Sequence, residues 1–280
     1  TDECPKMLGQ IAELIDSVDG YTSDNKLTWC AWCPEESWRE GYLFAVELNR
    51  ICQAAIDPIE RTELLMIGCA LHVLRSLCAQ SVRYTDMDEN TKTSGGGLDY
   101  VWIVSSTEGK EKSVKNLSQR NLQVIQRIIR QALRQEYIYE NANRYPKNKR
   151  DTLYNEADNR YGHKLFLSLA KKLGFVVPQR GPGARFVFTD KILRFFVLSL
   201  LRPGERRTFE DFKASLYAHY GIAIDGNELS KATQWSGLPK IDAAATDSSS
   251  WLASMLQASG FLIHLSDACS LVHNPFSLEG

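Results

Sequence analysis

The sequence predicts a mainly α-helical protein with small β-hairpins. Apolar residues recur at helical spacing over much of the chain, as Leu122, Ile125 and Ile129 do within one long run. Short runs rich in β-branched and aromatic residues, FVVP and RFVFT, flank a turn of glycine and proline, which is typical of a hairpin. A hydrophobic content of 44% and a charged content of 24% are those of a globular protein with its own core.

Residues 1–98 are predicted to form an N-terminal helical domain. Residues 7–18 (MLGQIAELIDSV) place their apolar side chains on one helical face. Pro34 opens a second helix to about residue 56, and Pro58 opens a third to about residue 82. The third helix is apolar on more than one side, which predicts the central helix of this domain. A polar loop with three consecutive glycines, ending at residue 97, is expected to close the domain.

Residues 99–205 are predicted to form a basic region that begins with a strand and a long helix. Residues 100–105 (YVWIVS) are rich in β-formers, and residues 117–143 have the apolar stripe of a long helix. The KNKRD sequence at residues 147–151 is predicted to be a basic loop. The polar side of the long helix carries or borders four arginines: Arg120, Arg127, Arg130 and Arg134.

A helix, a hairpin and a second helix complete this region. An amphipathic helix at residues 163–173 is expected to stop at Gly174, as helices commonly do at glycine. The runs FVVP and RFVFT are predicted to pair around the turn QRGPGA, and residues 190–201 to form an apolar helix.

A similar series of elements is predicted for residues 206–280. Thr208, with Asp211 three residues on, is a plausible cap for a helix that Gly221 ends. A short helix near residues 227–235, a helix at residues 251–259 and two β-rich runs around the turn SDACS follow.

The order of helix, hairpin and helix in residues 161–201 resembles that of winged-helix DNA-binding proteins in general, and residues 208–276 repeat the order of helix and hairpin. The resemblance rests on element order and points to no specific family. It implies an N-terminal helical domain followed by one or two winged-helix units, within residues 99–205 and 206–280. Among such proteins the chain resembles those of prokaryotes, which associates it with bacterial regulatory or genome-defence complexes.

The charges of the chain are sorted by position. Residues 110–208 contain 22 Lys/Arg and 8 Asp/Glu, whereas the rest of the chain contains 11 Lys/Arg and 26 Asp/Glu. A formal net charge of −1 therefore conceals a strongly basic middle. Because clustered cations raise the local concentration of polyanions, nucleic acid is the leading candidate partner. No Lys or Arg follows Lys240, so only the first winged-helix unit has the charge to meet phosphates.

The winged-helix resemblance implies where DNA would be contacted. The helix before the hairpin enters the major groove and the wing touches the DNA backbone, while the preceding basic loop adds phosphate attraction. Contacts of this kind carry no sequence information by themselves. The candidate DNA-binding residues are Lys147, Lys149, Arg150, Lys164, Lys171, Lys172, Arg180 and Arg185.

Two other interpretations of the charge remain open. The basic residues are also compatible with ordinary solvated helix faces, or with a segment that docks on the acidic N-terminal part of the chain. The alternative function is that of an adaptor or scaffold subunit, which binds other protein subunits or a second copy of itself without touching DNA. Six Trp and eleven Tyr leave enough aromatic residues for such an interface.

Cys30 and Cys33 in TWCAWCP have the spacing of half a zinc site or of a dithiol redox centre. Zinc needs two more ligands, and the sequence has no second CxxC, CxxH or HxxxH. The WCxxC of thioredoxin-like proteins lies between a strand and a helix of an α/β fold, whereas this neighbourhood is predicted to be helical. Two structural thiols are therefore favoured, and no metal and no cofactor are predicted.

The remaining motifs predict no catalytic residues. Asp86, Asp88 and Asn90 imitate the start of a calcium loop, but Thr91 and Gly97 stand where glycine and glutamate are needed. The GPG of the predicted turn lacks the GK[ST] of a phosphate-binding loop. No GxSxG or HExxH occurs, and the five histidines show no metal spacing, so we expect a non-catalytic protein.

The sequence predicts a cytoplasmic location. The most strongly apolar stretch, FFVLSLL, is too short to span a bilayer, and the N-terminus lacks the basic and then apolar pattern of a leader. Seven cysteines, an odd number spread over 280 residues, are typical of reduced thiols and not of a disulfide framework.

Overall fold

The computed structural model describes residues 38–85, 98–108, 111–135, 140, 142–239, 249–266 and 269–277. The chain divides into two compact units, Thr1–Tyr42 and Leu43–Gly280, and the features below belong to the second. The structure is mainly helical, with 63% helix and 10% strand, and its sheets are small. The predicted fold class is therefore confirmed at this level.

The described elements are helices and short strands. Strand β1 pairs with β5 in parallel, β2 pairs with β3 antiparallel, and an antiparallel sheet has the order β4-β7-β6. In chain order the elements are α1 Trp38–Gln53, α2 Pro58–Arg83, β1 Trp102–Ile103, α3 Lys112–Ala132, α4 Lys147–Arg160, α5 His163–Leu173, β2 Val176–Val177, β3 Arg185–Phe186, α6 Asp190–Leu200, β4 Arg206–Thr208, α7 Phe209–Tyr220, β5 Ile222–Ala223, α8 Gly226–Trp235, α9 Ser250–Ala258, β6 Leu262–Ser266 and β7 Cys269–His273.

Helix α2 begins where the proline predicts. Asp57 caps it by accepting hydrogen bonds from the backbone N–H groups of Ile59 and Glu60, and Pro58 occupies the first turn. The helix ends within one residue of the predicted position. By length and composition alone α2 could cross a membrane, a test that the core helix of a globular protein also passes.

A buried ion pair joins α1 and α2. Arg75 of α2 donates to both carboxylate oxygens of Glu47 in α1, at 2.7 and 3.3 Å. Nε2 of His219 in α7 lies 2.6 Å from Oε1 of the same carboxylate, and the Arg75 guanidinium lies over the Tyr220 ring. These contacts hold α1, α2 and α7 together, because removing one partner would leave a buried charge uncompensated.

Strand β1 lies within the core, where the sequence predicts a strand. It pairs in parallel with β5 on one side, and on the other the Ser105 N–H donates to the Phe186 carbonyl of β3 at 3.1 Å. Gly221, with a φ of 69°, ends α7 as predicted and permits this approach, since a Cβ there would lie 2.8 Å from the Tyr100 carbonyl oxygen. The core thus continues across the predicted boundaries after residues 98 and 205, and the three-part division stays a prediction.

Two predictions in the basic region are wrong. The long helix was expected at residues 117–143, but α3 runs from 112 to 132, and the Arg134 side chain beyond it donates to the Arg130 carbonyl and to Asp158. The KNKRD sequence, expected to be a loop, forms the first turn and more of α4. Only Asp158 of α4 is buried, so this helix has no apolar periodicity that a sequence pattern could show.

The later elements agree with the sequence. Helix α5 ends at Gly174, the β2–β3 hairpin follows, and α6 begins after Thr189 caps it by accepting from the Ile192 N–H. Helices α8 and α9 and the β6–β7 hairpin also lie where they are expected. The short strands β4 and β5, of three and two residues, carry no pattern long enough to predict them.

Asn121 offers a direct test of how much the core depends on β1. Its Oδ1 accepts from the Ile103 N–H at 3.0 Å, and its Nδ2 donates to the Val101 carbonyl and to Ser236 Oγ. Asn121→Leu leaves the buried Ile103 N–H and Val101 carbonyl without this partner, so we expect a loss of about 3 kcal/mol in the free energy of unfolding by urea.

The matched control is Asn116→Leu, on the exposed side of the same helix. We expect this variant to change the free energy of unfolding by less than about 0.5 kcal/mol. Equal losses for the two variants would contradict the role given to Asn121.

Candidate nucleic-acid interface

Helix α3 presents a basic stripe opposite its buried side. Val114, Leu122 and Ile129 belong to the side that packs in the core. The 21 residues of the helix contain no Asp or Glu. Its outward positions recur every three to four residues, so the stripe extends over about 27 Å of helix. The cations of the helix are Lys112, Lys115, Arg120, Arg127 and Arg130, of which Lys115 is half-buried and the others are exposed.

Helix α5 is a second element with cations and no acidic residue. Phe166 and Ala170 bury its inner side. Lys164 and Lys172 are exposed, and Lys171 is half-buried in the last turn. Lys171 and Lys172 lie in the last turn, where cations interact favourably with the helix dipole. This interaction is a local reason for lysines at these two positions.

The tip of the β2–β3 hairpin lies between these two helices. The Gln179 side chain at the tip donates to the Lys171 carbonyl of α5 at 3.0 Å. From the other side, the Gln119 side chain of α3 donates to the Gly183 carbonyl at 3.3 Å. Gly183 has a φ of 83°, a conformation that favours glycine in this turn. The exposed Arg180 is therefore held beside both helices.

We call this surface the basic face and define it by one group of cations: Lys112, Lys115, Arg120, Lys171, Lys172 and Arg180. In the part of the chain that the structure describes, none of them forms an ion pair. Arg127 and Arg130 continue it along α3. Some cations outside it are paired with acidic residues, as Lys191 is with Glu63 and Lys213 is with Asp225. The basic face therefore carries cations that no ion pair neutralises, although Lys172 lines a cavity together with Glu63 and Asp190.

The predicted contacts from the supposed loop lie on a different helix. Lys147 and Lys149 are exposed at the start of α4, and the Lys149 ammonium lies 4.5 Å from the centre of the Tyr145 ring. Arg150 donates to the Asn143 side chain. Lys164 is exposed in the first turn of α5, which packs against α4.

Arg185 does not belong to the surface. It lies in β3, its exposed fraction is 9%, and its guanidinium donates to the Thr107 carbonyl at 2.7 Å. Burial lowers the pKa of this guanidinium. An arginine bound in this way supports the loop before α3, so we leave it out of the proposed contacts although the sequence singled it out.

The cations of α3 are the part of the site that the sequence did not single out. Four arginines were placed on or beside the polar side of a helix, and none was named as a contact. The sequence does contain one signal, because α3 has no acidic residue over 21 helical positions. Ordinary solvated helices carry charges of both signs. What the sequence could not supply is the hairpin tip that joins α3 to α5.

A charged cluster attaches α4 to the rest of the unit. Arg134 donates to both oxygens of Asp158, at 2.9 and 2.7 Å, and its guanidinium lies 4.9 Å from the centre of the Tyr154 ring. Burial alone would raise the pKa of Asp158, but hydrogen bonds and charge from Arg134 outweigh it and lower that pKa. Burial lowers the pKa of the neighbouring His163, against the opposing charge of Asp158. We call this cluster the α4 clasp.

The described residues contain no group of three or more His, Cys, Asp or Glu that could hold a metal ion. Cys30 and Cys33 lie outside the described residues, as do Asp86, Asp88 and Asn90. Among the described cysteines, Cys69, Cys78 and Cys269 are free thiols, and burial raises the pKa of Cys78.

Asp158→Asn tests the clasp. We expect a loss of about 1–3 kcal/mol in the free energy of unfolding, because the charge-assisted hydrogen bonds to Arg134 are weakened. Since the folded pKa lies below the unfolded value, the carboxylate's contribution is complete above about pH 5. It is lost as the pH falls through the folded pKa. Urea unfolding between pH 7 and pH 3 measures both effects.

The control is Glu156→Gln, which removes an exposed ion pair with Arg160 on the same helix. Its effect should stay below about 0.5 kcal/mol. A wild-type acid sensitivity that Asp158→Asn leaves unchanged would exclude the clasp as its source.

Known proteins give no further guide to the basic face. No protein-family model, curated protein or solved structure matches the chain. A function for the chain therefore rests on the site itself, that is, on the charges, contacts and exposure of the described residues.

Proposed function

We propose that this protein binds duplex DNA, without catalysis, through the basic face. The observation that carries the proposal is the position of the hairpin tip, which is hydrogen-bonded to both α3 and α5. Cations from three elements thereby lie on one surface with no ion pairs among the described residues. A surface of this kind binds a polyanion by displacing its counterions.

The chemistry of the basic face favours contacts to phosphates. Long lysine and arginine side chains on two helices reach backbone oxygens without reading base edges. The exposed polar neighbours Asn116 and Gln123 on the same side of α3 supply donors for further backbone contacts. We therefore expect affinity that depends steeply on salt and weakly on base sequence.

The resemblance to winged-helix proteins gives the proposal an orientation. In such proteins the helix before the hairpin enters the major groove, so α5 would carry Lys164 and Lys172 into the groove. The hairpin tip would place Arg180 on the backbone. One feature departs from that pattern: β3 is bridged in parallel by Val104, next to β1, and is not part of an antiparallel three-stranded sheet. Helix α3 would then contribute phosphate contacts beside the wing.

Residues 206–273 support the resemblance in a different way. Strand β4 precedes helices α7 to α9, the β6–β7 hairpin follows them, and β4 pairs with β7 in an antiparallel sheet. A winged-helix unit has this connectivity. Its hairpin and α9 carry no Lys or Arg, so we assign this unit no contact with phosphates.

A second candidate function, a protein adaptor, has its own supporting observation. Leu265 in β6 is 61% exposed on a strand at the edge of its sheet. No charged residue lies in α9 or β6, and the core of a protein interface is depleted of charged residues. The adaptor would use this surface and need no DNA.

One titration separates the two candidates. Fluorescence anisotropy of a labelled duplex of about 20 base pairs, and of one of its strands, is measured with the full chain at about 50 to 200 mM salt. We expect duplex binding that weakens steeply as salt rises. No binding to the duplex at micromolar protein would contradict the DNA proposal and favour the adaptor.

A charge reversal tests where the duplex binds. Arg120→Glu with Arg180→Glu places two acidic groups on the basic face, one on α3 and one on the hairpin tip. We expect at least a tenfold loss of duplex affinity at about 100 mM salt and a salt slope smaller by about two. Thermal unfolding should change little, because both side chains are exposed.

The matched control reverses two exposed cations outside the basic face, Arg206→Glu with Lys231→Glu. Its net charge equals that of the test variant, so a general electrostatic effect would weaken both equally. Equal losses would contradict a localised interface.

A further inference from the structure

The segment around α4 carries two exposed tyrosines that the fold does not use. Tyr145, just before the helix, is 44% exposed, and Tyr161, just after it, is 62% exposed. Helix α4 has no apolar face, and Asp158 is its one buried residue. Burial of the rings in the core therefore does not explain these aromatic residues.

A third tyrosine of the segment, Tyr154, has a structural role. Tyr154 is half-buried, and the Arg134 guanidinium of the α4 clasp lies 4.9 Å from its ring centre. Tyr145 and Tyr161 lie outside that cluster at the two ends of α4. Both rings are more exposed to solvent than the ring of Tyr154.

Tyr145 lies next to a cation in a cation–π contact. The Lys149 ammonium lies 4.5 Å from the centre of its ring. Arg144 and Lys147 are exposed on either side. A ring on which a base can stack, next to ammonium groups that can meet its phosphates, is the unit from which single-strand binding surfaces are built.

Binding of a duplex to the basic face does not require these tyrosine rings. A paired base is stacked within the duplex and offers its edges and phosphates, not its face. An exposed tyrosine gains a stacking partner only from an unpaired base. Helix α4 packs against α5 of the basic face, so a strand that leaves the duplex there meets α4 next.

We infer that the Tyr145 end of α4 binds unpaired nucleotides that extend from a duplex held on the basic face. The inference rests on the proposed function and narrows it: the preferred ligand is a duplex with a single-stranded overhang, not a blunt duplex. Tyr145 stacks on a base, Lys149 and Lys147 meet the adjoining phosphates, and Tyr161 provides a second ring at the far end of the helix. The α4 clasp holds this segment beside the basic face.

The test compares two labelled ligands with the full chain, a blunt duplex and the same duplex extended by a single-stranded overhang of about six nucleotides. Anisotropy gives both affinities at one salt concentration. We expect the overhang to raise affinity at least about fivefold, the size of one stacked base. Tyr145→Ala should remove most of that gain and leave the affinity for the blunt duplex unchanged.

Two further variants separate stacking from a general loss of structure. Tyr145→Phe keeps the ring and should retain the gain. Tyr84→Ala removes a similarly exposed tyrosine next to α2, outside the basic region, and should have no effect. An adenine analogue, 2-aminopurine, placed in the overhang should lose fluorescence when the wild-type protein binds, and lose less with Tyr145→Ala.

The outcomes distinguish the two proposals. Absence of binding to the blunt duplex contradicts the proposed function. Binding to the blunt duplex with no gain from the overhang overturns only the inference about α4. The inference is likewise overturned if Tyr145→Ala lowers the affinity for both ligands equally, or if Tyr145→Phe behaves as Tyr145→Ala does.

Discussion

The pairing of β1 with elements on both of its sides is the constraint on which the rest of the structure depends. Its neighbours, Val101 and Val104, are completely buried, so every backbone group there needs a partner within the protein. Strand β5 pairs with one edge of β1. On the other side the Phe186 carbonyl of β3 accepts from the Ser105 N–H, and Asn121 of α3 bonds to the Ile103 N–H and the Val101 carbonyl. The same few residues therefore fix α3 and the hairpin relative to each other, and with them the two sides of the basic face.

The buried pair of Glu47 and Arg75 serves a different purpose. Taking two charges out of water is costly, and apolar residues of similar volume often stabilise a core as well. The pair does, however, fix the relative positions of α1, α2 and α7, because the Glu47 carboxylate contacts both Arg75 and His219. Its contribution is the position of these helices more than the free energy of unfolding.

Much of this fold could be predicted because its elements are marked by local chemistry. Pro58, Gly174 and Gly221 begin or end helices for reasons that act within a few residues, and the structure follows them. Helix α4 could not be predicted, since a helix attached through one buried carboxylate has no apolar period. The pairing of β1 with β5, more than a hundred residues away, has no local sign either, and neither does the burial of Arg185. For the candidate site, the sequence indicated which region is basic, whereas the grouping of α3, α5 and the hairpin tip needed the fold.

Several cations of the described residues serve the fold, and their partners distinguish them from the cations of the basic face. Where a cation serves the fold it has an acidic or carbonyl partner: Arg75 meets Glu47, Arg134 meets Asp158, and Arg50 donates to the Ser199 carbonyl at the end of α6. On α3 and α5 no acidic residue is present to pair with the cations. Like charges on one rigid surface repel each other, so such a surface destabilises the folded chain slightly when it is alone. That cost is removed when a polyanion binds, and for this reason the missing acids of α3 argue for a ligand more strongly than the number of cations does.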